Sequence, residues 1–429
     1  MAKLKRIRGT RDILPETTAK WQYIERMVLE VAATYGFGEI RVPTLEKTEL
    51  FHRSVGETTD VVQKEMYTFD MGRESLTLRP EGTAGVVRAV LENGLLNDAL
   101  PLKLCYILSC FRHEKPQAGR YREFDQFGIE VFGAAAPSQD AEVISVANDI
   151  LNRLGIGEVQ LQINSIGCPQ CRPAYHEKLT VYYREHESEL CELCRDRLAK
   201  NPLRLLDCKE EGCGALKSGA PRSIDNLCGD CEEHFAGFKA SLEAIGIPFV
   251  VNADIVRGLD YYTRTVFEFI SQKIGAQGAV CAGGRYDSLL ETMGGAPTPA
   301  LGFGMGIDRL LLVAEQEGCE FPAPKPCDIY LGSMGESEGL LAQEIVALLR
   351  REGFYALCDT MGRSVKAQMK YADKAGARFS CIIGSNELEN KSVNVKNMQN
   401  GEAAQVALNA AAVAEFLYSR IADDIEISL

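Results

Sequence analysis

The sequence predicts an α+β domain built on an antiparallel sheet, interrupted by a cysteine-rich insertion and followed by a small α/β domain. Three observations lead there. Short apolar runs in the first third are separated by polar loops rather than by regularly repeated helices, which favours an antiparallel α+β sheet over a doubly wound one. Between Gly167 and Phe235 the texture changes to charged residues and paired cysteines. After Pro322, Pro324 and Pro326, strand and helix patterns alternate, as in a mostly parallel α/β domain. The 429 residues therefore divide into residues 1–322, with the insertion at about 168–235, and residues 325–429.

Trp21, Ile24, Val28 and Val31 recur at helical spacing between Thr17 and Tyr35, and Gly36 stands where a left-handed C-cap belongs. Ile40 to Val42, Leu76 to Leu78 and Leu104 to Leu108 read as strands. Ser138, Asp140 and Glu142 open a second helix, with Gly155 as its stop and a strand from Val159 to Ile163 behind it. The sheet pattern resumes at Phe249. In the last domain the order is strand (Asp328 to Leu331), helix (Glu338 to Glu352), strand (Tyr355 to Leu357), helix (Ser364 to Ala375), strand (Phe379 to Ile383), strand (Ser392 to Val395) and a terminal helix.

A net charge of -13 excludes wholesale electrostatic coating of nucleic acid, so any such contact is local. No apolar run approaches the roughly 18 residues that span a bilayer. The start, Met1 to Asp12, is basic with no apolar segment behind it, so a cytoplasmic protein is expected.

Three stretches set charge beside apolar sheet: Thr77-Leu78-Arg79-Pro80-Glu81-Gly82-Thr83, Phe111-Arg112-His113-Glu114, and Gly302 to Arg309. A single arginine near a glutamate is ordinarily a structural ion pair. Three such stretches, with glycines that let a ligand approach the backbone, suit a polyphosphate held bidentately.

Phe111 to Glu114, with its loop to Gln126, resembles motif 2 of the class II aminoacyl-tRNA synthetases; Gly302 to Arg309 resembles motif 3, and Gly36 to Pro43 the dimer-forming motif 1. Within that class, Arg257-Gly258-Leu259-Asp260-Tyr261-Tyr262-Thr263 and Ala282-Gly283-Gly284-Arg285-Tyr286-Asp287 are similar to two peptides peculiar to histidyl-tRNA synthetases. Arg8-Gly9-Thr10-Arg11-Asp12 resembles that family's opening. The resemblance implies a homodimer with a six-stranded antiparallel catalytic sheet and a C-terminal anticodon-binding domain.

It also implies ATP-dependent joining of histidine to tRNA through a histidyl-adenylate. Attack by a carboxylate on the α-phosphate brings like charges together, so fixed cations are required. Arg112 and Arg257 are expected at the α-phosphate, Arg257 where related enzymes use a metal ion. Arg120 and Arg309 are expected at the outer phosphates, with Glu114 beside the nucleotide and magnesium accompanying ATP. By resemblance Glu81 and Thr83 take the histidine ammonium, and Gln126 and Arg257 its carboxylate. Glu130, Tyr261, Tyr262 and Tyr286 close around the imidazole; tyrosines beside glycines are otherwise aromatic core. No protein base for the transfer step is evident, and a phosphate oxygen of the adenylate can accept the proton.

Arg363, Lys366, Lys370 and Lys374 form a basic stripe. By default this is a solvated helix face; by resemblance to the anticodon-binding domain it contacts tRNA. Eight of fifteen cysteines are paired in sequence: Cys168 with Cys171, Cys191 with Cys194, Cys208 with Cys213, and Cys228 with Cys231. They read as knuckles for structural zinc or as reduced thiols, with the pairing of knuckles open. Two rival functions remain: a non-catalytic paralogue such as the ATP phosphoribosyltransferase regulatory subunit, which should lack the anticodon-like domain and the ATP arginines, and a glycyl or threonyl enzyme, which needs no imidazole pocket.

Overall fold

Trp21, Ile24, Val28 and Val31 form the buried face of the helix Pro15–Thr34, which opens with proline in its first turn and closes ahead of Gly36 at φ +80°. The computed structural model describes residues 3–57, 59–208, 210–255, 258–274 and 278–425, in two compact units, Met1–Pro322 and Ala323–Leu429.

The first unit is built on an eight-stranded sheet in the order Gly38–Glu39, Leu102–Phe111, Glu123–Phe132, Ala300–Gly306, Ala279–Arg285, Thr263–Ser271, Val159–Ser165 and Val250–Val251. The six inner strands pair antiparallel, and the two short edge strands run parallel to their neighbours. The expected strand Ile40 to Val42 is displaced: only Gly38 and Glu39 are in register with Leu104 and Cys105. Pro43, without an N–H, cannot extend a ladder, and the chain leaves for a separate three-stranded sheet made of Leu45–Lys47, Glu74–Leu78 and Tyr67–Met71.

Side-chain alternation divides the large sheet into two faces. Phe127, Ile129, Val131, Phe267, Phe269, Leu301, Phe303 and Met305 enter one core with the helices Pro15–Thr34, Pro137–Arg153, Gly229–Ala244 and Ile307–Gln316. Gln126, Gly128, Glu130, Glu268, Gly302 and Gly304 alternate with them and take the opposite face. That second face is the polar one.

The insertion has a core of its own, including Tyr175, Leu179, Tyr183, Leu190, Cys194, Leu205, Cys213 and Leu216. It ends earlier than expected. The helix Gly229–Ala244 begins at the cysteine pair, but its Phe235, Phe238 and Leu242 already belong to the main core.

In the second unit a five-stranded sheet runs Ala356–Cys358, Ile329–Ser333, Phe379–Ile383, Ser392–Asn397, Ala403–Ala407. The first two pairings are parallel and the last two antiparallel, so the sheet is mixed rather than mostly parallel. The strand Ala403–Ala407, which lacks bulky residues, and the short helix Ser385–Asn390 are additions to the expected order.

Candidate active site

A cavity of about 260 Å³ opens on the sheet's polar face. Its walls include Glu81, Thr83, Arg112, Glu114, Arg120, Gln126, Tyr261, Tyr262, Tyr286 and Arg309, which were separate motifs in the sequence. Arg257 lies outside the described residues, and Glu130 is not on the wall.

One end is acidic and hydroxyl-rich. Glu81 precedes the helix Thr83–Glu92, and its two carboxylate oxygens accept the amides of Thr83 at 2.8 Å and Ala84 at 2.9 Å, satisfying donors that a helix start leaves open. Burial nonetheless raises its pKa. Thr83 Oγ1 and the Tyr106 hydroxyl donate to Glu130 Oε1 at 2.7 and 3.0 Å, and the Tyr286 hydroxyl donates to Oε2.

Glu130 is therefore completely buried behind the wall with both oxygens engaged. The hydroxyls of Tyr106, Tyr286 and Thr83 stand between it and the cavity, whose walls carry all three residues. Burial pushes its carboxyl up to about 8, against the three hydroxyl bonds that lower it. Burial keeps the Tyr106 and Tyr286 hydroxyls protonated. Tyr261 packs against Tyr262 and Tyr286 with ring centroids 4.8 and 5.5 Å apart.

The other end is cationic. Arg112 donates from Nε to the carbonyl of Pro80 at 2.8 Å and lies over the Phe124 ring. Arg120 pairs with Glu114 at 3.0 Å, and Arg309 donates to the carbonyl of Ala279. Burial, and next the like charge of Arg120, push Arg309 down to about 10, so it stays charged at neutral pH and gains from an added anion. Asp308, also on the wall, pairs with Arg11, whose guanidinium lies over Trp21 and Tyr121. The opening peptide thereby braces the motif 2 loop, and Arg122 donates its amide to Gly9 O at 2.7 Å.

Sequence reasoning missed Tyr106, Tyr121 and Glu268 on the wall. Tyr106 lies between Leu104 and Leu108 and passes for core. Glu268, a lone carboxylate among Val266, Phe267, Phe269 and Ile270, was the available signal. Conversely Arg285, part of a peptide singled out for recognition, is buried and bonded to Asp140.

Among the remaining candidates, Lys366, Lys370 and Lys374 are exposed on the helix Val365–Lys374. Arg363 precedes that helix, pairs with Asp359 at 3.2 Å and lies over Tyr371, which gives it a structural role apart from the stripe. The eight cysteines collect in two groups of four: Cys168, Cys171, Cys228 and Cys231; and Cys191, Cys194, Cys208 and Cys213. Among the described residues no helix is long and apolar enough to cross a membrane.

A family model described as histidyl-tRNA synthetase matches residues 9–199 and 214–310, and one described as an anticodon binding domain matches residues 330–417. A histidine–tRNA ligase of Acetivibrio thermocellus is 53% identical over 94% of this chain and 97% of its own length. One of Clostridium novyi is 51% identical over 94% and 96%. The crystal structure of apo S. aureus histidyl-tRNA synthetase superposes with a TM-score of 0.82 at 39% identity, covering 97% of this chain and all of that one.

Proposed function

The chain belongs to the histidyl-tRNA synthetase family, and on that premise we propose that the cavity from Glu81 to Arg309 is where histidine and ATP meet. The enzyme ligates histidine to its tRNA in two steps. The histidine carboxylate attacks the α-phosphorus of ATP and pyrophosphate leaves; a ribose hydroxyl at the tRNA 3′ end then attacks the acyl carbon and AMP leaves. The identity to ligases over nearly the whole chain favours this over a regulatory paralogue.

The observation that carries the assignment is the polarity of one cavity, with carboxylate and hydroxyls at one end and Arg112, Arg120 and Arg309 at the other. Glu81 and Thr83 take the histidine ammonium, and Gln126 its carboxylate. Tyr261, Tyr262 and Tyr286 enclose the imidazole, held by Glu130 from behind. Because the catalytic guanidinium groups are fixed before substrate arrives, Arg112 stabilises charge as it grows on the α-phosphoryl oxygens without reorganising. Arg257 joins it there in the reading that the family resemblance implies.

Arg120 and Arg309, with Glu114 to orient Arg120, hold the outer phosphates. Magnesium, when bound with ATP, would supply further charge neutralisation on the outer phosphates. The adenylate's phosphate oxygen accepts the ribose proton in the second step. Lys366, Lys370 and Lys374, with Arg363 bracing the turn before them, contact tRNA(His). Structural zinc is assigned to the cysteines of the insertion. A homodimer formed through Gly36 to Pro43 and a cytoplasmic location complete the proposal. Pyrophosphate exchange measured with each amino acid tests it: exchange with histidine is expected, and exchange strongest with glycine or threonine would overturn it.

A further inference from the structure

The eight cysteines of the insertion are unused by the chemistry of ligation, yet their sulfurs are gathered more tightly than packing requires. Within each group of four, the Sγ atoms all lie within 4.8 Å of one another. Cys168 Sγ is 3.7 Å from Cys171 Sγ and 3.8 Å from Cys228 Sγ, and Cys191 Sγ is 3.9 Å from Cys208 Sγ. A single zinc with Zn–S bonds of about 2.3 Å has sulfurs about 3.8 Å apart at the corners of its tetrahedron. A disulfide would need about 2.05 Å, and a cluster of several irons would spread its thiolates more widely.

The backbone around the sulfurs is built to match. Cys171 and Arg172 donate their amides to Cys168 O at 3.0 and 3.2 Å, and Cys231 and Glu232 donate theirs to Cys228 O at 2.9 Å each, so both pairs form the same tight turn. Amides also point at sulfur across each group: Cys228 N to Cys171 Sγ at 3.1 Å, and Cys191 N to Cys213 Sγ at 3.2 Å. These donors offset charge on thiolates. Gly167 takes φ +70°, and a Cβ there would stand 2.7 Å from Cys171 Cβ. The family model stops at residue 199 and resumes at 214, leaving Cys208 and Cys213 outside what it describes.

We infer that the insertion binds two structural zinc ions, one on Cys168, Cys171, Cys228 and Cys231 and one on Cys191, Cys194, Cys208 and Cys213, and that together they hold the Asp260–Tyr262 peptide against the histidine pocket. The second half rests on the histidine-binding role proposed above. Zinc is chosen over a mononuclear iron because thiolates bind it more tightly in the divalent series and it brings no redox chemistry. The first ion fastens the two ends of the insertion, joining residues 57 positions apart. The second stiffens a small outlying core that has little apolar area to stabilise itself.

Contacts run from both cysteine groups to the peptide that carries Tyr261 and Tyr262. Arg172, next to Cys171, donates to the carbonyl of Tyr262. Arg204, four residues before Cys208, donates from Nε to Asp260 Oδ1 at 3.2 Å, and Asn201 donates to the same oxygen at 3.2 Å. Arg197, three residues after Cys194, pairs with Asp60 at 2.9 Å. Arg204 and Asp260 are positioning residues; the aromatic wall is what they position.

The test starts from the full-length enzyme purified without added metal. Elemental analysis is expected to give two zinc per chain, released to a chromogenic chelator when a mercurial titrates the thiols. Absence of zinc, or iron in its place, overturns the assignment while leaving histidine activation free to stand. Cys228→Ser with Cys231→Ser, and separately Cys208→Ser with Cys213→Ser, should each retain one zinc; loss of both from either variant overturns the two independent sites. In pyrophosphate exchange, Asp260→Asn and the Cys208→Ser, Cys213→Ser enzyme should each raise KM for histidine about fivefold or more and leave KM for ATP unchanged. Unchanged KM for histidine in an enzyme that has lost the second zinc would overturn the coupling.

Discussion

The guanidinium of Arg285 holds the carboxylate of Asp140 from Nε at 2.9 Å and Nη2 at 2.6 Å, with both side chains buried. Its remaining donors reach the carbonyls of Ala134 and Ala136, so the strand Ala279–Arg285 is fastened to the start of the helix Pro137–Arg153. Tyr286, the next residue, is thereby aimed at the pocket. Against the effect of burial, His234 and Arg285 keep the Asp140 carboxyl below the ordinary range.

Asp140→Ala should cost about 3–5 kcal/mol, because it breaks a buried ion pair and leaves the guanidinium only the more distant Asp287 carboxylate at 3.4 Å. Denaturant unfolding measures this, and a second change, Arg285→Met, should restore part of the loss. An unchanged midpoint in Asp140→Ala would show that the pair is dispensable.

Glu130 gives a pH dependence of known sign. Its native value, about 8, stands above the ordinary 4.5. Between those limits the unfolded chain releases a proton that the native state keeps, so this group's contribution to stability falls as pH rises through the window. Glu130→Gln should remove that slope from unfolding free energies measured across the window. Parallel curves for the two proteins would contradict it.

Arg309→Ala should lower kcat/KM for ATP by about a hundredfold, since it removes a fixed charge from the wall proposed to hold the phosphates. Equilibrium binding of histidine alone should be unaltered. ATP kinetics and calorimetry separate the two, and an equal loss of histidine affinity would assign Arg309 to folding.

Gly304 and Gly302 should respond differently to alanine. A Cβ on Gly304 would stand 2.4 Å from the Gln126 side-chain nitrogen, a flexible end that can swing away. Gly304→Ala is therefore expected to fold and to raise KM for histidine about tenfold or more. On Gly302 the same atom meets the backbone oxygen of Ile129 at 2.1 Å, and thermal melting should show that Gly302→Ala loses stability instead.

Neutralising Lys366, Lys370 and Lys374 together should raise KM for tRNA and flatten its salt dependence, with tRNA-free pyrophosphate exchange unaffected. Charging assays at several salt concentrations measure it. Unchanged charging would leave the stripe as a solvated face.

Elements with strong periodicity were legible in the sequence because local pattern and tertiary burial agree there. The helix Pro15–Thr34 and the strand Phe379–Ile383 are examples. Ile40 to Val42 misled because three apolar residues state a preference for extended chain but not which sheet will have them. The cavity's arginines stood out because charge beside apolar sheet needs a reason. Arg285 stood out for the same reason and proved to be an internal anchor, since sequence cannot tell a cation that awaits a ligand from one satisfied by Asp140. Tyr106 and Glu130 were harder: one looked like core, and the other's remove from the wall depends on three hydroxyls contributed by distant segments.

Gly128, Gly302 and Gly304 leave gaps into which Tyr106, Glu130 and Gln126 recline. The floor here is bare peptide, and its relief comes from neighbours leaning across from adjoining strands. The shape of such a surface is set by the leaning residues. At Gly302 the paving admits no side chain, since one would strike the peptide of Ile129; at Gly128 and Gly304 it is the leaning side chain that would have to move.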